Sequence, residues 1–139
     1  MPSIARVQEI VLPILRDSFT LNGVTVTSWV PDIDHREFPM INIRRIGGGR
    51  HPDNPNKLSL PVIEMTCYSS SSLIEAERLY EDALEVLYDA AKTQKQTPKG
   101  YLHSIRETMG ATQFSSLYMD SWRVQGLIQL GIRPPRKTI

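Results

Sequence analysis

Cysteine is nearly absent from this 139-residue chain, with Cys67 standing alone. A single thiol excludes an internal disulfide and any metal site built from several cysteines, and it fits a reducing, intracellular setting. Long apolar runs are missing too. The longest stretches, such as residues 10–15, fall far short of the roughly 20 residues needed to cross a bilayer. The N-terminus shows no basic region leading into an apolar stretch and a small-residue cleavage site, so the chain reads as neither secreted nor membrane-spanning. Nor does either charge dominate. Sixteen Lys and Arg against 15 Asp and Glu leave a formal net charge of +1, so no overall field draws nucleic acid or an anionic membrane and any such binding rests on local patches. The catalytic and nucleotide-binding patterns GxSxG, GxxxxGK[ST] and GxGxxG do not occur.

What is present belongs to a folded chain. Hydrophobic residues make up 40% and charged residues 22%, far from the composition of disorder. At this length one domain forms around one core, burying about 68–70% of the unfolded surface. Ile4, Val7, Ile10, Val11 and Ile14 follow Ser3 at helical spacing, which predicts a helix capped by Ser3 and kinked or ended by Pro13. After the Asn22-Gly23 turn signal, residues 24–30 alternate and are β-branched, a strand with one buried face. Residues 31–39 are polar and proline-bracketed, hence a loop. A second strand is expected over 40–46, and a third over 60–68 with Pro61 at its start or edge. Between them, residues 47–57 are so rich in Gly, Pro and Asn that they read as a long exposed hairpin loop.

Ser72 followed by Glu75 is a capping box. Behind it Leu73, Ala76, Leu79, Tyr80, Ala83, Leu84, Leu87 and Ala91 form one face of a long helix, and Glu75, Glu77, Glu81, Asp82, Glu85 and Asp89 crowd the other against Arg78. Residues 101–109 read as a strand, 110–120 as a loop and 121–132 as the last strand, in which Trp122, Val124, Gly126, Ile128, Leu130 and Ile132 share one parity. Residues 133–139 are basic and proline-stiffened, an exposed arm appended to a domain spanning 1–132. The order predicts an α+β layer: a mainly antiparallel sheet of four or five strands carrying an N-terminal helix and one long helix on one face.

Groups able to do chemistry are sparse. His35, His51 and His103 show no i, i+4 spacing that would put two imidazoles on one metal. Cys67 sits in an apolar strand, where cysteine serves as a small core residue and no feature lowers its pKa. Gly47-Gly48-Gly49 lacks the following helix that would aim amides at a phosphate. Glu81 and Glu85 lie one turn apart on a helix surface, which offers no cleft and no unequal environments for acid and base. The tryptophans read as core or interface anchors. No catalytic, metal or cofactor residue is therefore assigned. The charge distribution is the informative feature, because an acidic helix, a basic loop from Arg44 to Lys57 and a basic tail are surfaces that can meet between copies and close a ring. The last strand and arm also suit addition to a neighbouring sheet edge.

The wording Phe38-Pro39-Met40-Ile41-Asn42-Ile43-Arg44-Arg45-Ile46-Gly47-Gly48, then Leu60-Pro61-Val62-Ile63-Glu64-Met65-Thr66, Ala76-Glu77 with Leu79-Tyr80-Glu81-Asp82-Ala83-Leu84, Trp122-Arg123-Val124-Gln125-Gly126-Leu127-Ile128 and Arg133-Pro134-Pro135-Arg136 resembles tail terminator proteins of long-tailed, non-contractile bacteriophages, especially mycobacterial ones. The resemblance covers essentially the whole chain. It implies a structural virion protein, not an enzyme, made in the host cytoplasm. In that family a small α+β subunit forms a hexameric ring at the head-proximal end of the tail. The ring stops growth of the tube, offers a surface to the head–tail connector protein and lets genomic DNA pass without sequence-specific binding. The resemblance implies partner contacts through Arg44, Arg50, His51, Lys57, Arg133 and Arg136. The acidic face of Glu77, Glu81, Asp82 and Glu85 suits the lumen, an intersubunit contact or an outer solvated surface. A head–tail joining or completion protein is the neighbouring reading. A nucleic-acid-binding regulator using the basic loop and tail, and a small hydrolase using His35, His51, His103 or Cys67, are the alternatives of other classes.

Overall fold

A computed structural model describes residues 4–28, 37–113, the backbone of Phe114 and residues 121–136. Helix α1 (Val7–Arg16) is followed by a 3-10 turn (Phe19–Leu21), strands β1 (Thr25–Thr27), β2 (Met40–Arg50) and β3 (Ser59–Ser69), helix α2 (Leu73–Thr93), and strands β4 (Tyr101–Phe114) and β5 (Trp122–Arg133). The sheet has five strands in the order β1-β2-β3-β5-β4. It is mixed, because β1 runs parallel to β2 while every other pairing is antiparallel. The α+β layer matches the expectation; the parallel edge pairing adds to it.

Both helices pack on one face, where Ile41, Ile43, Ile63, Met65, Cys67, Val124, Ile128, Leu130 and Ile132 meet Val7, Ile10, Val11 and Ile14 of α1 and Leu79, Tyr80, Ala83, Leu84 and Leu87 of α2. Each large apolar side chain buried here contributes about 1.5–3 kcal/mol. The alternate residues Asn42, Thr66 and Gln125 lie on the other face, in register across β2, β3 and β5.

The expected cap of α1, Ser3, lies outside the described residues; the helix begins at Val7 after Arg6, which supplies no side-chain cap. Pro13 does not end the helix, which continues to Arg16. Ile14 and Leu15 beyond the proline are buried, and the Arg16 guanidinium donates two hydrogen bonds to the Val26 carbonyl at 2.7 and 3.0 Å. Tertiary burial thus outweighs the one backbone bond the proline forfeits. Of the strand expected over 24–30, Thr25–Thr27 is strand, and Trp29 and Val30 lie outside the described residues together with 31–36.

Three further expectations need correcting. Residues 47–50 are not loop but the end of β2, paired Gly47 to Val62, Gly48 to Pro61, Gly49 to Leu60 and Arg50 to Ser59. The run continues because a bulge between Arg45 and Gly47 re-sets the register and Gly48 takes φ +86°, packed so tightly on Leu60 and Pro61 that a Cβ would strike their backbone. Glycine here permits the strand instead of ending it. The turn shrinks to 51–58, closed by His51 N–H to Leu58 O at 2.9 Å and Lys57 N–H to Asn54 O at 3.1 Å. Residues 110–114, read as loop, continue β4, since β5 offers a ladder as far as Gln113–Val124 and Phe114–Arg123. Finally, β5 is not an edge: it lies between β3 and β4, and the outer strands of the sheet are β1 and β4.

The capping box forms with a substitution of roles. Ser72 accepts from the Glu75 N–H at 3.1 Å, while Ser69, one turn upstream, donates its hydroxyl to the Glu75 carboxylate at 3.2 Å and accepts from the Ser71 N–H. Three serines and one glutamate thereby satisfy the first turn of α2.

Candidate assembly surfaces

The strand registers place two ends of the sheet apart. Arg50 pairs with Ser59, Ser59 with Ile132 and Arg133 with Tyr101, so the hairpin turn, the start of β4 and the end of β5 lie together. At the other end Met40 pairs with Tyr68, and Arg123 with both Tyr68 and Phe114. Helix α2 starts where β3 stops and, at 21 residues, runs about 31 Å, the length of the sheet, to finish beside the hairpin end.

Cations gather at the hairpin end. Arg50 and Lys57 are exposed on either side of the turn, and His51 is half-buried with its Nδ1 accepting from the Asp53 N–H at 3.2 Å. Arg133 is the last residue of β5, not the first of an arm. Arg136 is tied to its own subunit: its side chain donates to the Gln94 side-chain oxygen, its N–H donates to Gln96 Oε1 at 3.0 Å, and its guanidinium lies 5.0 Å from the centre of the Tyr101 ring. Residues 137–139 lie outside the described part of the chain. Lys92, Lys95 and Lys99 add charge to this end, and all three are exposed. The sequence reading missed them. The signal was the change of sign along one helix, acid through Asp89 and lysine from Lys92, which also complements the helix dipole. Arg44 is not part of this group. It sits on the uncovered face of the sheet and pairs with Glu64 at 3.1 Å.

The acidic face is a real surface of α2. Glu77, Glu81, Asp82 and Glu85 are all exposed, and none has an ion-pair or hydrogen-bond partner among the described residues. Two grooves flank it. One, toward α1, is lined by Ile14, Thr20, Asp82, Glu85, Asp89 and Lys95. The other, toward β4, runs over Ile74, Ala111, Gln113 and Val124 under a rim of Glu77, Arg78, Glu81 and Asp82.

The groups with chemical potential do not converge. His51 lies in the hairpin turn and His103 on β4, with β3 and β5 between their strands; His35 lies outside the described residues. Cys67 is fully buried, and burial pushes its thiol pKa far up, so it packs as a small core residue. Burial, then the nearby Glu107 carboxylate, likewise raises the Tyr80 phenol. Its ring fills the space above Gly126, where a Cβ would strike its hydroxyl, and that hydroxyl has no hydrogen-bond partner among the described residues. Tyr88 donates to Glu107 at 3.1 Å, and partial burial followed by this bond raises its pKa. Among the described residues no three His, Cys, Asp or Glu side chains cluster as a metal site, and no helix is long and apolar enough to cross a membrane. Trp122 is exposed at the head of β5, so it is not a core anchor; Trp29 lies outside the described residues.

A small α+β subunit with an exposed acidic face along α2 and a cluster of cations at the hairpin end has the make-up of an assembly component. Comparison with known proteins agrees. A family profile described as phage tail termination protein matches residues 3–139. Two curated relatives, both called Gene 22 protein, come from Mycobacterium phage D29, 67% identical over 138 residues and 99% of each chain, and from Mycobacterium phage L5, 65% identical over 139 residues and 100% of each chain. A chain from the virion of a native gene transfer agent particle shares the fold with a TM-score of 0.53 at 14% identity, over 91% of this chain and 94% of that one. The chain belongs to the phage tail termination protein family, a family of structural tail components of the virion.

Proposed function

We propose that this chain is the tail terminator of a long-tailed, non-contractile phage: copies of it close into a hexameric ring on the head-proximal end of the tail tube, stop its elongation and present the surface that the head–tail connector joins. The observation that carries the reading is the match of residues 3–139 to the tail termination family. The charge pattern supports it, because a subunit with unlike ends makes head-to-tail contacts, and such contacts close into rings when the rotation allows. Assembly then draws on surface burial and complementary charge. Arg50, His51 and Lys57, on the turn projecting beyond the sheet, form the contact with the connector, and Arg133 and Arg136 border it. Residues 1–132 make up the folded domain, with the basic segment 133–139 appended. By sign, the carboxylates of Glu77, Glu81, Asp82 and Glu85 either line a lumen that DNA slides past without gripping or meet a basic neighbour. Assembly takes place in the host cytoplasm.

The test is growth of tail tubes with purified protein, followed by addition of filled heads. Native protein arrests the tubes at one length and the tubes join heads; the Arg50→Glu, Lys57→Glu variant arrests tubes normally and fails to join. Tubes that grow on past native protein overturn the terminator reading, and normal joining by the variant overturns the role of the turn.

A further inference from the structure

The groove between the first turns of α2 and the last part of β4 is built to receive something. Its floor is apolar, with Val124 and Ala111, and Ile74 at its mouth is 61% exposed. Trp122, of the same strand parity as Val124, is 44% exposed next along β5. Single exposed apolar residues are ordinary on a surface; here Ile74 lines the groove and Trp122 heads β5, the strand that supplies Val124. Glu77, Glu81 and Asp82 rim it together with one cation, Arg78, so the rim keeps a net negative charge, and the three carboxylates have no hydrogen-bond or ion-pair partner among the described residues.

We propose that this groove binds the basic end of a second copy of the chain. Charge and place both favour this contact. Lys95, Lys99 and Arg136 lie at the opposite end of the same sheet, and Lys137 follows them in sequence. Pro134 and Pro135 stiffen the segment that carries Arg136, which lowers the ordering cost of docking. Bonds to Gln94, Gln96 and Tyr101 hold Arg136 in place before any partner arrives, so it is presented preorganised. A two-fold contact of groove with groove would set carboxylates against carboxylates. The favourable contact is therefore heterologous, acidic groove to basic end, and each subunit keeps one of each free for the next. This deepens the ring reading and rests on it: the carboxylates at this groove serve the contact between subunits.

Two variants and their mixture test the contact. One carries Glu77→Lys and Glu81→Lys; the other carries Lys95→Glu, Lys99→Glu and Arg136→Glu. Circular dichroism melts confirm that each folds. Sedimentation velocity reads assembly, or caps per tail-tube end read it if native protein associates only there. Each variant alone needs at least about tenfold more protein than native to assemble. The equimolar mixture assembles like native, because each reversed groove then meets a reversed end. Folded variants that assemble alone as native does, or a mixture that stays dissociated, overturn the contact while native capping leaves the terminator reading intact. A native chain that neither associates nor caps tubes overturns both.

Discussion

The basic cluster at the hairpin end and the acidic groove at the start of α2 treat their charge differently. At the hairpin end two basic groups are held, Arg136 by two glutamines and a tyrosine ring and His51 by the backbone of its own turn, while the lysines around them are exposed. At the helix-start end the backbone is held, by the serines around Glu75, while the carboxylates of Glu77, Glu81 and Asp82 beyond it have no partner among the described residues. The hairpin end presents Arg136 in a fixed place; the groove carries carboxylates that no described residue pairs. A subunit with matched ends would dimerise and stop, whereas one with a fixed key and an open lock propagates.

The largest way to break this contrast is at the hairpin. Gly48→Ala puts a Cβ into the backbone of Leu60 and Pro61 at a positive φ, and should cost about 3 kcal/mol in chemical denaturation. Gly47→Ala, with open space around it, should be mild by comparison. Between the ends, the buried sheet centre predicts alkaline sensitivity. The Cys67 thiol and Tyr80 phenol have pKa values raised in the folded state, so their contribution is complete below their unfolded values and fades as pH rises past these. Stability should fall from about pH 8.5 with a slope near 1.4 kcal/mol per pH unit for the thiol, steepening near pH 10 as the phenol joins. In Cys67→Ala the decline should begin only near pH 10. At the helix-start end Ser72→Ala removes the acceptor for the Glu75 N–H and should cost about 1 kcal/mol. Smallest is Arg136→Ala, which loses a cation over Tyr101; it should lower stability by about 0.5 kcal/mol, measured by thermal melts, while weakening assembly far more.

Most of the core was legible because it rests on periodicity. The helical spacing from Leu73 to Ala91 and the shared parity of Val124, Gly126, Ile128, Leu130 and Ile132 survive as the two sides of one interface. Residues 110–114 misled because only their pairing with β5 makes them strand, and the glycine run misled for a different physical reason. Glycine is depleted in strands on average, yet its tolerance of close approach and of φ +86° is what lets β2 stay paired beside Pro61. Strand order was not legible either: β5 lies inside the sheet because β4 pairs along its outer side, and no local pattern records that. Of the candidate surfaces, the sign of each patch could be read, but not the clustering of Arg50, Lys57, Lys95, Lys99 and Arg136 at one end, which depends on the registers of four strands and the length of one helix.

The most direct test of the account is negative-stain imaging of the native protein alone and with tail tubes. The account predicts six-fold rings, seen free or as caps on one end only of each tube, with no tube extending beyond a cap. Protein that decorates both ends or the sides of tubes, or that leaves tubes uncapped and growing, would contradict it.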